Sequence, residues 1–113
     1  MTTNYTVGHA AEETAADYLA QRGYTVLAKN WRMRYCEIDL VVRKGATVYM
    51  VEVKSRRTYN QGNGLDYITP KKLRQMQFAA ELWVSAHGWR GQYQLAVLAI
   101  SAGDIAFIDH IDL

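Results

Sequence analysis

The sequence predicts an α/β fold, a mixed sheet of four to five strands flanked by helices in the order α-β-β-β-α-β-β, with residues 1–113 as one domain. Three observations carry this. Two segments place their apolar residues at helical spacing, Gly8 to Arg22 and the stretch after Thr69-Pro70. Three short runs suited to strands lie together between them: Tyr24 to Trp31, Glu37 to Arg43 and Thr47 to Lys54. A fourth, Gln92 to Ile100, is apolar almost without interruption, as an interior strand covered on both faces must be.

Each element has its own signal. In the first helix Ala15, Ala16 and Leu19 mark the buried stripe, and Gly23 supplies a left-handed stop. Glu12 falls on the same face as those three, whereas Glu13 and Asp17 face water. Lys44-Gly45-Ala46 reads as a tight hairpin connection between the second and third strands. Ser55 to Ile68 is a polar loop without periodicity. Thr69 caps the second helix and Pro70 occupies its first turn. Leu73, Met76, Ala80, Trp83 and Val84 form its stripe, and Gly88 ends it. This helix serves as a crossover that sets the fourth strand parallel to the third. Ile105 to Ile108 is a short last strand.

Composition excludes several classes. Half of the 113 residues are hydrophobic and 21% are charged, so the chain is not disordered. A single cysteine, Cys36, rules out an intrachain disulfide and a cysteine-based zinc site. It reads as a small packed residue, since no base is identifiable for it. Met1 to Thr6 lacks the basic and apolar regions of a signal peptide, and Leu95 to Ile100 is too short to span a bilayer. A cytoplasmic protein without a membrane partner is expected. The formal charge is only +2, but residues 29–74 hold eleven basic and four acidic residues, a net +7, against −5 in the flanks. Such asymmetry is the usual footprint of a polyanion partner such as nucleic acid; the competing reading is an ordinary solvated surface, and charge alone does not separate the two.

The chemistry concentrates in Cys36-Glu-Ile-Asp-Leu-Val-Val42 and Val51-Glu-Val-Lys54. By alternation Glu37 and Asp39 share one strand face, opposite Ile38, Leu40 and Val42, and Glu52 shares a face with Lys54. A two-residue loop at Lys44-Gly45, or a four-residue loop, brings Asp39 opposite or near Glu52; a three-residue loop separates them. Adjacent carboxylates in an apolar sheet invite a cation or a shared proton. Their oxygens suit Mg²⁺ or Mn²⁺. Lys54 would then position a water, and Glu12 would complete the outer coordination. The bare pattern of Asp, a gap and Glu-x-Lys arises by chance in about one chain in five of this length. Its competing reading is a salt-bridged sheet, with Glu52 paired to Lys54 or Arg56 and no metal.

More specific are the pieces Gly8-His-Ala-Ala-Glu12, Ala16-Asp-Tyr-Leu19, Asn30-Trp-Arg32, Glu37-Ile-Asp-Leu40, Val51-Glu-Val-Lys54 with Arg56, and Thr69-Pro-Lys-Lys72. In this order and spacing the chain resembles the YraN-like family of small bacterial proteins, which look like members of the PD-(D/E)XK nuclease superfamily and are similar to Holliday junction resolvases. The resemblance implies a restriction-endonuclease-like core, with Glu12, Asp39, Glu52 and Lys54 in the catalytic positions. It implies metal at Asp39 and Glu52, supported by Glu12, and a family acid at Glu37. Arg56 and Lys72 match basic positions suited to phosphate contact, and Arg32, Arg57, Lys71 and Arg74 extend that basic set. Two departures stand out: Cys36 replaces the family's usual glycine, and Gln94-Leu95-Ala96 replaces a usual Arg-Phe-Asp.

The expectation is therefore a metal-dependent endonuclease acting on branched or single-stranded DNA in repair or recombination. The alternative is a non-catalytic nucleic-acid-binding module on the same fold. Basic residues of this kind hold the backbone without reading sequence. Target choice would fall to the Ser55 to Ile68 loop, to a second copy in a homodimer, or to another protein. Among the other residues, Trp31 reads as core packing, His9 as an exposed or capping residue, and His87 and His110 as structural. Tyr35, Tyr59 and Tyr67 lie among the basic residues, where aromatics can stack on unpaired bases.

Overall fold

A computed structural model describes residues 4–56 and 68–112, with side chains from residue 10 onward. The elements follow the expected order: α1 (Asn4–Gln21), β1 (Thr25–Met33), β2 (Cys36–Lys44), β3 (Thr47–Arg56), α2 (Pro70–His87), β4 (Gln92–Ser101) and β5 (Asp104–Ile111). The five strands form one sheet in the spatial order β1-β2-β3-β4-β5. The first three make an antiparallel meander. Helix α2 crosses over, and β4 pairs parallel to β3 over its whole length, from Thr47↔Gln92 to Arg56↔Ser101. β5 returns antiparallel along β4.

One helix covers each face. Ala15, Ala16 and Leu19 of α1 pack on Leu40, Val42, Val51, Ala96 and Leu98. Leu73, Met76, Ala79, Ala80 and Trp83 of α2 pack on Ile38, Val41, Val48, Met50 and Leu95, with Trp31 joining at the rim. Each fully buried Leu or Val contributes roughly 1.5–3 kcal/mol of transfer free energy, so the stripes read from spacing are what hold the helices down.

The signals at the ends of α2 act as the residues demand. The Thr69 hydroxyl accepts from Lys72 N at 3.0 Å, and Gly88 closes the helix in the left-handed region at φ 59°. Replacing Thr69 with Ala leaves that N–H without its cap. The expected result is a loss of about 1 kcal/mol, read as a melting temperature lower by about 4 °C.

Three local readings are corrected. The β2–β3 loop is the two-residue turn Gly45-Ala46, with Lys44 opposite Thr47, not a turn centred on Lys44-Gly45. Gly45 takes φ 63°, which favours the turn at that position. β3 continues through Arg56 and β5 through Ile111, further than expected, because β4 offers backbone partners along its length. Most of the polar loop, residues 57–67, lies outside the described residues, and with it Arg57, Tyr59 and Tyr67.

The third correction matters most. Ile38 does not share a face with Leu40 and Val42: it packs under α2, and they pack under α1. The same break occurs in β1, where Ala28 and Trp31, three residues apart, both face α2. Between them Asn30 adopts φ 52°, left-handed backbone that Asn tolerates better than most residues. Lys29↔Leu40 and Trp31↔Ile38 bracket this point, so the irregularity spans both strands at the level of Asn30 and Asp39.

Candidate active site

Pairing between β2 and β3 runs from Lys44↔Thr47 to Leu40↔Val51 and ends there. The next residues along are Asp39 on β2 and Glu52 on β3. The loop length thus sets the register that brings the two acids together, and the strands separate where they meet. Val53 N, beyond the last pair, donates to Asp39 Oδ2 at 2.9 Å. A carboxylate here takes the place of a strand partner, since a main-chain N–H left unsatisfied in a half-buried setting is costly.

Asp39 sits at the junction of the two faces. Val51 and Val53 pack under α1, leaving Glu52 and Lys54 on the α2 side of β3. Glu12, with a relative exposure of 9%, lies on the inward face of α1 with Ala15 and Ala16. Burial pushes the Asp39 carboxyl up to about 7; the charges of Glu52, then Glu12 and Glu37, push the same way, and the Val53 N–H opposes them. Three further carboxylates, Glu37 of β2, Glu52 of β3 and Glu12 of α1, are therefore near enough to act on the charge of Asp39.

Positive charge reaches this group from α2. Lys72 Nζ lies 3.0 Å from Glu52 Oε2. This pair joins two layers, from α2 to the sheet, and links residues twenty positions apart. Arg32 Nε lies 3.2 Å from Glu37 Oε2, an exposed pair on the β1–β2 side. Lys71 and Arg74 are exposed on the first turns of α2, and Arg56 is half-buried at the end of β3. The basic set is nevertheless divided. Arg43 and Lys44 lie at the other end of the hairpin, where Arg43 covers Trp89 and Lys44 covers Tyr24; Lys29 pairs with Glu13.

Among the described residues no three His, Cys, Asp or Glu side chains are gathered closely enough to make a finished metal centre. The donors present are all oxygens. Asp39 and Glu52, with the Val53 carbonyl following, suit a cation that keeps several waters and takes only one or two carboxylates, which is the habit of Mg²⁺. A recess of about 10 Å³, the room of one water, lies among Glu37, Ile38, Met50 and Glu52.

The model of the uncharacterised protein family UPF0102 matches residues 11–107. This chain belongs to that family. Its relatives include a UPF0102 protein of Clavibacter michiganensis, 39% identical over 88% of this chain and 86% of its own length. Another, from Mycolicibacterium gilvum, is 41% identical over 86% of this chain and 81% of its own. A third, from Rhodococcus opacus, is 32% identical over 98% of this chain and 97% of its own. The matched region contains all four acids and Lys54 and Lys72.

The two departures within this UPF0102 chain fall in different places. Cys36 is half-buried against the α2 core at the first residue of β2. Gln94 lies beside Tyr49 rather than Glu52, and its Oε1 is 2.6 Å from His110 Nδ1. His110 Nε2 is in turn 2.8 Å from Asp112 Oδ2, on the exposed surface. His87 stacks on Trp83 with ring centroids 4.3 Å apart, a structural role. The His9 side chain lies outside the described residues. Among the described residues no helix is long and apolar enough to cross a membrane.

Proposed function

We propose that the chain is a metal-dependent phosphodiesterase that cuts DNA with a branched or single-stranded element. The observation that supports this most is the meeting of Asp39 and Glu52 where β2 parts from β3, with Glu12 behind and Lys54 two residues along β3. In this reading Asp39 and Glu52 hold a hydrated Mg²⁺ or Mn²⁺, supported by Glu12. When bound, such an ion neutralises phosphate charge and lowers the pKa of a coordinated water. Lys54 orients the attacking water and Glu37 flanks the cleft. Arg56, Lys71, Lys72 and Arg74 contact the phosphate backbone, with Arg32 extending the path.

The α2 residues lend weight to a phosphate role. Lys71 and Lys72 stand in the first turn of a helix with no acid there, against the helix dipole, a placement that costs roughly 0.3–1 kcal/mol per charge. Of the two, Lys72 reaches the acidic cleft through Glu52, and Lys71 is exposed beside it. The family resemblance and this surface both point to nucleic acid; repair or recombination is the setting in which branched DNA arises. A homodimer would cut paired strands symmetrically.

A second reading is a binding module without chemistry. The Lys72–Glu52 pair favours it, because a lysine already neutralises one of the two acids. The test is a panel of flapped, forked, four-way and single-stranded DNA incubated with purified protein in Mg²⁺ and in EDTA. Cleavage in Mg²⁺ alone, lost in Lys54→Ala while binding persists, is the expected result. Salt-sensitive binding with no cleavage of any substrate in Mg²⁺ or Mn²⁺ selects the module.

The lysine gives a further expectation. Lys72→Met removes the competitor for Glu52, so Mn²⁺ should bind several-fold more tightly, while DNA affinity falls and its salt dependence weakens by about one phosphate contact. Mn²⁺ titration by electron paramagnetic resonance, beside anisotropy with labelled DNA, separates the two effects.

A further inference from the structure

Two aromatic side chains beside the acidic cleft have no part in the core. Tyr35 occupies the two-residue turn between β1 and β2 with 78% of its surface exposed, and Phe78 projects from α2 with 49% exposed. The Arg34 guanidinium lies 5.2 Å from the Tyr35 ring centroid. Both rings line one cavity of about 230 Å³. Cys36 and Met76 add apolar wall; Glu37, Glu52, Lys72 and Gln75 supply the polar part. The cavity thus opens directly beside Glu52. A hydrophobic surface left exposed next to a charged site asks for a ligand.

The chemistry of the walls selects the kind of ligand. Lys72, the one cation among the described lining residues, is paired with Glu52, so it can meet a phosphate at the rim, while Glu37 and Glu52 leave the interior to an uncharged group. A flat heterocycle would find ring faces at Tyr35 and Phe78, and its N–H and amino edges would find carboxylate acceptors. In a duplex those edges and faces are taken by pairing and stacking, so only an unpaired base can enter.

We infer that this cavity seats one unpaired DNA base next to the phosphate at the Asp39–Glu52 cleft, stacked on Tyr35 and Phe78. The seat rests on the phosphodiesterase reading for its neighbour, and its binding is separable from cleavage. It narrows the substrate class to DNA with an unstacked nucleotide at the cleft: a flap, gap, fork or single strand.

The test uses the whole chain in EDTA, where no metal-dependent cutting occurs. Single-stranded oligonucleotides carrying 2-aminopurine, and duplexes of equal length, are titrated by fluorescence and anisotropy. The expected results are quenching of 2-aminopurine on binding and a single-strand affinity that falls about five- to a hundredfold in Tyr35→Ala and in Phe78→Ala. Duplex affinity should stay unchanged and Tyr35→Phe should bind as the parent does. Both residues are exposed, and circular dichroism confirms the fold of each variant. Equal losses for single strand and duplex, no loss for either, or no binding of single strand by the parent each overturn the base seat. Selective loss in a protein that cuts nothing in Mg²⁺ keeps the seat and overturns the nuclease reading. Cleavage indifferent to both rings does the reverse.

Discussion

Asp39→Asn should abolish Mg²⁺-dependent cleavage and, in the same protein without metal, raise the melting temperature at pH 8. The first effect follows from removing one of two candidate metal ligands; a loss of about a hundred- to a thousandfold is expected. The second follows from the environment of the carboxyl. Its pKa is raised to about 7 in the fold, chiefly by burial and then by Glu52, from a usual value of 3.8. A carboxyl raised by folding is protonated in the native state at pH values where the unfolded chain has already lost the proton. Its contribution to stability is intact below about 4, declines as pH rises, and is fully lost above about 7. At pH 8 the cost is on the order of a few kcal/mol. An amide carries no charge, and its oxygen still accepts from Val53 N. Metal-free Asp39→Asn should therefore melt several degrees higher than the parent at pH 8, with the gap closing towards pH 4. Mg²⁺ should reverse the order by stabilising only the parent. Parallel melting curves across this pH range, with no closing gap, would show that Asp39 is not the strained group.

Leu40→Ala should be the most damaging of the substitutions in the core near this site. Leu40 is 0% exposed, pairs with Val51 at the last rung between β2 and β3, and packs under α1. Truncation removes its packing and leaves a cavity between α1 and the sheet, at a cost of about 2–5 kcal/mol. Against a total of roughly 5–15 kcal/mol for an ordinary domain, that is a large fraction. The same rung sets where Asp39 points. Chemical denaturation should show the lower midpoint. Any folded remainder should also lose protection at the Val53 amide in hydrogen exchange. An unchanged midpoint would mean that α1 closes over the gap without loss.

Much of this was legible in the residues. Thr69, Pro70 and Gly88 bound α2 by local chemistry that needs no partner. Glu12 could be placed with Ala15, Ala16 and Leu19 by helical period alone. The approach of Asp39 to Glu52 depended only on the parity of the hairpin loop, which the shift to Gly45-Ala46 preserved. What escaped was non-local or irregular. Alternation assigns Ile38 to the face of Leu40, but the left-handed Asn30 across from Asp39 breaks it; an Asn inside a β-rich run was the available signal. The Lys72–Glu52 pair joins two layers, and no spacing rule reaches that far. Tyr35 and Phe78 come from distant segments, and their shared cavity exists only once α2 lies across the sheet.

The parallel union of β3 with β4 has a consequence for the order of assembly. Thr47 meets Gln92, a partner 45 positions later, whereas its other neighbour, Lys44, is three away. The chain can form β1, β2 and β3 as local hairpins early, but β3 must wait with an open edge until the crossover helix and β4 arrive. Loop closure over that distance is entropically expensive before contacts reward it. During synthesis at about 5–20 residues per second, that edge stands exposed for seconds. Pulse-labelling hydrogen exchange should find amides of the β1–β2–β3 meander protected ahead of those of β4. Acid pH, which neutralises Asp39, should speed that first stage.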